Sequence, residues 1–331
     1  MTELTTELKP SGASIEPNPI KTSEKVKRFL YSQRGWLWML PAFILLCVFT
    51  FWPILNTLIS AFRENYSALS DRHTGIGFEN FVNVVQDAYF LTCLRNTVVL
   101  AFISVPLSTL LALFISVALA SIKPLQKAFQ TIFFLPYLTN ALSIGAVFAA
   151  MFKIIGASAA NPETYGLMNS ILGVFGIEPV NWINVGAPTW AMMTVVITYE
   201  VWSGLAFKIL ILFGALMNVN KQYYDAAKID AASKSRILWK ITVPLISPMI
   251  SYLVITGFIG AFKSYTAIVG IFGEYMGPNK QYEMGTIVGL IYKYIGDSKT
   301  GVACAASLIL FALIMVFTAI NMLLSKKRVH Y

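Results

Sequence analysis

Residues that carry chemistry are scarce in this sequence of 331 residues. It has two histidines, His73 and His330, and three widely spaced cysteines, Cys47, Cys93 and Cys304, with no Cys-x-x-Cys pair. A histidine-based catalytic or metal centre, a zinc site and a disulfide framework are therefore not indicated. A Gly-x-x-x-x-Gly-Lys-Ser/Thr phosphate loop is also missing, so we expect this chain to bind no nucleotide and no other cofactor.

Charge is equally scarce. Lys, Arg, Asp and Glu make up 12% of the residues, whereas soluble domains carry about 25%. Hydrophobic residues make up 56%, and the mean hydropathy is +0.66, which indicates a multi-spanning membrane protein. The net charge of +9 would also suit a nucleic-acid surface. However, 15 of the 25 Lys and Arg residues lie in four short segments at alternate ends of the apolar runs, 21–35, 122–128, 218–243 and 325–331. Basic residues gather in the cytoplasmic loops of membrane proteins, so nucleic acid is the weaker interpretation.

Six apolar runs are long enough to cross the hydrocarbon core, which takes about 20 helical residues. The predicted spans lie at 36–60, 97–121, 128–152, 190–216, 245–269 and 302–324. We therefore predict an all-α membrane protein with six transmembrane helices.

The orientation follows from the even number of spans and the basic N-terminal segment. Both termini are expected in the cytoplasm, with cytoplasmic loops at 122–127 and 217–244. The outer loops, 61–96, 153–189 and 270–301, hold seven basic residues against nine acidic ones, which agrees with this orientation. We predict a disordered cytoplasmic tail at 1–35, a membrane domain at 36–325 and a short cytoplasmic tail at 326–331.

The loop 217–244 carries an unusually polar, Ala-rich segment. Helix formers dominate from Tyr224 to Trp239, and no Gly or Pro interrupts them before Pro244. On a helical wheel a narrow apolar face, interrupted by Lys234, contains Ala227, Ala231, Leu238 and Ile241. We expect a cytoplasmic helix whose small side chains let another protein surface approach closely. An amphipathic helix lying on the lipid headgroups is the alternative.

This segment resembles the EAA loop of ABC importer permeases, Glu-Ala-Ala-x3-Gly-x9-Ile-x-Leu-Pro. Here Asp225-Ala226-Ala227 is followed after three residues by Ala231, and after nine more by Ile241-Thr242-Val243-Pro244. The spacing is kept, but Asp replaces Glu, Ala231 replaces Gly and Val243 replaces Leu. In that family the Gly allows a bend between two short helices, and Ala makes such a bend costlier.

The resemblance implies that the loop is a coupling helix seated in a cleft of an ATPase subunit. The acid is expected at the rim of the contact and the two alanines in its floor. The coupling residues implied in this way are Asp225, Ala226, Ala227, Asp230, Ala231, Ile241 and Pro244.

Other stretches are similar to the carbohydrate-uptake branch of the same family, the maltose and multiple-sugar permeases. They are GFENFVNVV (77–85), LRNTVV (94–99), FFLPYL (133–138) and YGLMNSILG followed by Asn181-Trp182. This likeness implies a type I importer permease in the bacterial inner membrane. It also implies a second permease subunit, an ATPase dimer that binds ATP and magnesium, a solute-binding protein and a carbohydrate substrate.

Three charged residues, Glu200, Lys208 and Lys263, fall inside predicted spans. A charge at mid-span costs about 2.5–3.5 kcal/mol on insertion scales and usually faces a partner or a cavity. Glu200 and Lys263 differ in expected depth by only about 4–5 Å, so an ion pair that joins two spans is one interpretation. Lys208 lies about 12 Å deeper than Glu200 and is expected to extend towards the cytoplasmic interface.

A solute path is the other interpretation of these charges. Aromatic faces stack on sugar rings, and hydroxyl groups satisfy the sugar hydroxyls, although residues of an interfacial aromatic belt give the same pattern. The candidates for this path are Glu200, Trp202, Lys208, Lys263, Tyr265 and Thr266.

Two other function classes compete with an ATP-driven permease. A secondary active sugar transporter would need no coupling helix and often has two related halves with broken spans, but we find no internal repeat. A membrane enzyme is the weakest alternative, because no catalytic or metal-binding set of residues lies at a common depth.

Overall fold

The computed structural model describes residues 34–122, 126–155, 164–278 and 283–326, most of which are helical. The tails predicted at 1–35 and 326–331 lie outside these ranges, apart from residues 34, 35 and 326.

The α-helices are α1 (Arg34–Leu46), α2 (Trp52–Phe62), α3 (Glu79–Gln86), α4 (Phe90–Ser121), α5 (Gln126–Leu138), α6 (Ala141–Phe152), α7 (Leu167–Val174), α8 (Thr189–Met217), α9 (Lys221–Ile229), α10 (Lys234–Ile237), α11 (Val243–Leu245), α12 (Ser247–Phe262), α13 (Thr266–Phe272), α14 (Ile287–Gly296) and α15 (Thr300–Lys326). Two antiparallel hairpins of two-residue strands pair β1 (Arg63–Glu64) with β2 (Gly75–Ile76) and β3 (Ile154–Ile155) with β4 (Thr164–Tyr165).

Two segments of π-helix interrupt the α-helical chain, at Cys47–Phe51 and Leu238–Thr242. Each ends two residues before a proline, Pro53 and Pro244 respectively. A proline ring clashes with the carbonyl four residues earlier and lacks an N–H donor. A widened turn ahead of the proline relieves that clash without ending the helix.

The chain divides into two compact units, with the boundary after Asn56. The described part of the first unit contains α1, the first π segment and the start of α2. The candidate span Trp38–Phe62 has a mean hydropathy of 2.1, and its large apolar side chains are exposed.

The second unit is built around α4 and α8, which pack along each other. Small residues at the contact, among them Ser108, Ala112 and Ser116, let the two backbones approach closely, as in other membrane helix pairs. The Ser116 hydroxyl donates a hydrogen bond across the contact to the Ile209 carbonyl, at 3.1 Å. Apolar clusters then join this pair to α12, α14 and α15, to α6 and α13, and to α5.

Six spans are confirmed if each bent helix pair is taken as one span. Four continuous helices are long and apolar enough to cross a membrane, Trp38–Phe62, Phe90–Ser121, Thr189–Met217 and Thr300–Leu323. Two further pairs qualify together, Ala128–Leu138 with Ala141–Phe152 and Lys234–Leu245 with Ser247–Phe262.

The third predicted span, 128–152, is not one continuous helix, so that part of the prediction was wrong. The axes of α5 and α6 differ by 96°. Pro136 weakens the end of α5, and the Asn140 side chain accepts hydrogen bonds from the Leu142 and Ser143 amides, which starts a new helix.

The fifth predicted span, 245–269, is also broken. The chain bends by 70° at Ile246, and α12 ends at Phe262. Residues 263–265 then separate α12 from the short helix α13.

Asparagines from the stretches that resembled sugar permeases fasten the loops. Asn80 donates to the Ala61 and Arg63 carbonyls, at 2.9 and 2.8 Å. Asn96 donates to two carbonyls of the segment before α14, and Asn169 accepts from the Trp182 indole at 2.9 Å.

Candidate functional site

The loop 217–244 folds as two helical arms joined by a tight turn, so the single helix expected from Tyr224 to Trp239 was wrong. The first arm, α9, begins at Asn220, whose side chain accepts from the Gln222 amide at 3.0 Å. The second arm begins at Ser233, whose hydroxyl accepts from the Arg236 amide at 3.3 Å, and runs through the π segment to Leu245.

The turn between the arms is a Schellman motif centred on Ala231. The Ala232 amide donates to the Ala227 carbonyl at 2.9 Å, and the Ala231 amide donates to the Lys228 carbonyl at 3.0 Å. Ala231 has φ of +50°, in the left-handed region that glycine adopts most readily. The bend is therefore made at the position where the EAA pattern has glycine, although the residue here is alanine.

A side-chain contact links the two arms. The Thr242 hydroxyl lies 3.4 Å from the Tyr224 hydroxyl and 3.3 Å from the Ile237 carbonyl. Thr242 is buried, and this contact places the start of α9 beside the π segment.

The exposure of the predicted coupling residues differs from the expectation at one central position. Ala227 is only 5% exposed, so this chain itself covers the methyl group, and its expected place in the floor of a partner contact was wrong. Asp225, Ala226, Asp230 and Ala231 are exposed, and Asp225 pairs with Lys228 at 3.2 Å. Ile241 and Pro244 are half-buried.

Two apolar side chains that the sequence analysis missed project from the first arm. Ile229 is 86% exposed and Tyr223 is 54% exposed. Large apolar residues are unusual on the exposed surface of a helix as polar as α9. This contrast with the polar neighbours could have identified the two residues from the sequence.

A cavity of about 410 Å³ lies inside the second unit, beside the break between α5 and α6. Two aromatic rings at its wall, Tyr137 and Phe207, stack with their centroids 5.7 Å apart. The remaining lining residues come from α5, α6, α8, α12 and the break itself, and are Pro136, Thr139, Ala141, Ile144, Ser203, Gly204, Lys208, Leu253, Thr256 and Gly257.

Lys208 is the predicted site residue that lines this cavity. It is 6% exposed, and its ammonium group donates to the Ser108 hydroxyl at 2.5 Å, the Thr109 hydroxyl at 3.1 Å and the Val105 carbonyl at 3.3 Å. The side chain therefore crosses to α4, and the expectation that it extends to the cytoplasmic interface was wrong.

The expected pair between Glu200 and Lys263 does not form. Lys263 is exposed at the end of α12, and Glu200 instead accepts a hydrogen bond of 2.5 Å from the neighbouring Ser264 hydroxyl. Next to Glu200, Tyr199 donates to the carbonyl of Ala141 at 2.9 Å. Consecutive residues of α8 thus contact the break between α5 and α6 and the break between α12 and α13.

The other predicted path residues lie outside the wall of this cavity. The Trp202 ring packs against Phe148, with the ring centroids 5.8 Å apart. Tyr265 stacks on Tyr292 at 4.2 Å, and Thr266 is exposed at the start of α13.

Bent spans that line an open pocket, together with a two-armed helical loop, are the features of a membrane transport protein. Residues 96–330, well over half of the chain, match the family described as the binding-protein-dependent transport system inner membrane component. The chain belongs to this family.

Known relatives and solved structures agree with this assignment. The chain is 28% identical to the lactose transport system permease protein LacF of Rhizobium radiobacter over 250 residues, which cover 75% of this chain and 78% of the relative. It is 26% identical to the trehalose/maltose transport system permease protein MalF of Thermococcus litoralis over 301 residues, which cover 91% and 96% respectively.

A crystal structure of a bacterial alginate ABC transporter, in complex with an alginate pentasaccharide-bound periplasmic protein, contains a chain of the same fold. The TM-score is 0.75 at 20% identity, and the match covers 92% of this chain and 98% of the other. At this identity the likeness establishes the fold of an ABC importer permease.

Proposed function

We propose that this chain is the permease subunit of an ATP-driven importer that takes up a carbohydrate delivered by a solute-binding protein. The observation that carries the proposal is the family membership, together with extensive similarity to permeases for lactose and for trehalose or maltose. A secondary active transporter is disfavoured, because none of its features accounts for the two-armed 217–244 loop.

The energy source is a separate ATPase dimer, which binds the ATP and magnesium. The 217–244 loop is its docking element, with both chain termini and this loop on the cytoplasmic side of the inner membrane. A second permease subunit completes the path, and the solute-binding protein docks on the opposite side.

The docking surface is the exposed side of α9 and the turn that follows it. Ile229 and Tyr223 supply apolar area, since large side chains in the centre of an interface carry most of its binding energy. Asp225, Ala226, Asp230 and Ala231 lie between and beside them, and Ile241 and Pro244 hold the second arm in place.

The cavity beside the break of the third span is the solute site in this proposal. Tyr137 and Phe207 offer aromatic faces to a sugar ring. The hydroxyl oxygens of Thr139, Ser203 and Thr256 can accept hydrogen bonds from sugar hydroxyls, although the Thr139 and Thr256 hydroxyls themselves donate to backbone carbonyls. A volume of about 410 Å³ lies within the range of small-ligand pockets.

The proposal is tested by purifying the chain from its native membrane under mild conditions. We expect an ATPase and a second permease to copurify, and ATP hydrolysis by the complex to rise when a sugar-loaded binding protein is added. Sugar uptake by this chain in vesicles without any ATPase would refute it.

The docking surface is tested by Ile229→Asp. A charge at an interface centre costs about 2 kcal/mol or more, so ATPase association should weaken at least about tenfold. Ile76→Asp is a matched control, because Ile76 is 81% exposed on the hairpin of the predicted outer loop. Equal association of both variants with the ATPase would contradict the docking assignment.

A further inference from the structure

The hydrogen bonds around Lys208 match its charged form. The Ser108 hydroxyl gives its one hydrogen to the Ser104 carbonyl at 2.5 Å, and the Thr109 hydroxyl gives its hydrogen to the Val105 carbonyl at 2.7 Å. Both oxygens can then only accept from the lysine nitrogen. Together with the Val105 carbonyl they make three acceptors, and only an ammonium group carries three hydrogens to satisfy them.

No carboxylate contacts this buried charge in the part of the chain that the structure describes. No carboxylate oxygen of those residues lies within 4.0 Å of the Lys208 nitrogen, since the ion pairs there join Asp225 to Lys228 and Lys293 to Asp297. Glu200 is eight residues away on the same helix, about 12 Å along its axis, and is engaged by Ser264. The charge of Glu200 acts on Lys208 only from this distance, and the groups in direct contact with the ammonium group are neutral hydroxyl and carbonyl oxygens.

Lys208 is also the one charged residue among the twelve described residues that line the cavity of about 410 Å³. Gly257 faces its nitrogen from α12, and a Cβ atom there would lie 3.6 Å from that nitrogen. The same Cβ atom would lie 3.0 Å from a methyl group of Val105, so α4 and α12 pack closely beside the nitrogen and only a glycine fits there. A charge inside a membrane span is costly, and such charges usually face a partner or a cavity.

We infer that the cavity selects an anionic saccharide, a sugar that carries a carboxylate, sulfonate or phosphate group, and that Lys208 supplies the countercharge. The inference rests on the proposed function, because it assigns a substrate class to the same cavity. The sugar ring lies against Tyr137 and Phe207, and its acidic group lies towards Lys208 in the wall of the same cavity. A neutral sugar of the same size fits the same walls but brings no anionic group to the lysine.

The test measures direct sugar binding by calorimetry to the complex of this chain with its partner subunits, without the solute-binding protein. The probes are digalacturonate, a glucuronate-containing disaccharide and glucose 6-phosphate, each compared with its neutral counterpart. At least one acidic probe should bind about tenfold or more tightly than its counterpart, as expected for a unit charge within about 10 Å at an effective dielectric constant of about 20.

Three variants separate charge from folding. Lys208→Met should abolish the preference for the acidic probe, and Lys208→Arg should retain it. Lys153→Met, which removes an exposed lysine at the end of α6, should leave the preference unchanged. Basal ATP hydrolysis of each variant complex reports whether it has folded and assembled.

The inference is overturned if no acidic probe binds more tightly than its neutral counterpart, or if Lys208→Met keeps the preference. Tight binding of neutral sugars alone would leave the carbohydrate permease intact and remove only the anionic substrate class. A complex that binds no saccharide of either kind would overturn both.

Discussion

Replacing Ala231 by glycine should stabilise the 217–244 loop, because the turn holds an alanine at φ of +50°. The left-handed conformation costs a non-glycine residue about 1–2 kcal/mol. Glycine adds about 0.4–1 kcal/mol of entropy to the unfolded state, which offsets part of that gain. The net effect of Ala231→Gly should be a stabilisation of about 0.5–1 kcal/mol.

Hydrogen exchange of the Ala232 amide measures this effect locally. That amide donates to the Ala227 carbonyl at 2.9 Å and closes the turn, so it exchanges only when the turn opens. A stabilisation of 1 kcal/mol slows exchange about fivefold. We expect a slowing of about two- to fivefold, measured on the assembled complex.

Ala226→Gly is the matched control, because it makes the same chemical change at an exposed position inside α9. Glycine inside a helix costs about 0.5–1 kcal/mol relative to alanine, so this variant should speed exchange along α9. The two substitutions are thus expected to have opposite signs. Faster exchange of the Ala232 amide in Ala231→Gly would refute the strained-turn argument.

Three further predictions concern packing and the breaks in the spans. Gly145→Ala should destabilise the fold by about 1–3 kcal/mol, because its Cβ would lie 2.5 Å from the Gly270 Cα. Gly173→Ala is the control, since its Cβ would meet nothing within 4 Å, and thermal unfolding compares the two variants. Lys263→Ala should leave expression near the wild-type level, since the lysine is exposed and makes no pair with Glu200, and a severe loss would restore the pairing hypothesis. Asn169→Ala should lower the melting temperature, because it removes the hydrogen bonds to the Trp182 indole and to the backbone amide and carbonyl of Val180. A decrease no larger than that caused by Asn181→Ala would contradict this prediction.

The number of spans could be predicted from sequence because it depends only on the lengths of apolar runs. The same runs do not reveal breaks, since residues 128–152 remain apolar on both sides of the 96° bend. The signal for that break was local, a proline at 136 followed by an asparagine able to cap a new helix at 140. Prolines are common in membrane spans, so Pro136 alone did not distinguish a kink from a break.

The 217–244 loop was predicted better by motif spacing than by periodicity. A helical wheel treats residues 224–239 as one helix, but a single left-handed residue at Ala231 separates the arms and ends the common face. Burial of Ala227 follows from this turn and could not be read from the wheel. The motif, in contrast, marked the bend at the correct residue because its glycine position records a backbone conformation.

Glu200 and Lys208 lie inside a span as predicted, whereas Lys263 lies just after α12, and the predicted partners of Glu200 and Lys263 were wrong. Position along a helix predicts only the depth of a residue in the membrane. Glu200 and Lys263 have similar predicted depths, but their side chains are not in contact. The actual partners are hydroxyl groups, Ser264 for Glu200 and Ser108 with Thr109 for Lys208. Serine and threonine are frequent in apolar spans, so nothing in the sequence marked these three among the others.

The contacts of α8 connect the two breaks to the 217–244 loop. Tyr199 holds the first residue of α6, and Glu200 holds Ser264 before α13. The close approach of Gly145 to Gly270 then joins α6 directly to α13. Because these three contacts join α6, α13 and the middle of α8 to one another, the three segments should move as one rigid body.

The helix α8 also connects these contacts to the 217–244 loop. α8 continues without a break to Met217, and only residues 218–220 separate it from α9. A partner that displaces α9 would therefore move α8, whose middle contacts the break between α5 and α6 and the break between α12 and α13. Since the wall of the cavity includes Ala141 from α6 and Lys208 from α8, a displacement of either helix changes the cavity in which the solute is expected to bind. We therefore expect motion at the proposed docking element to change the proposed solute cavity through contacts within this one chain.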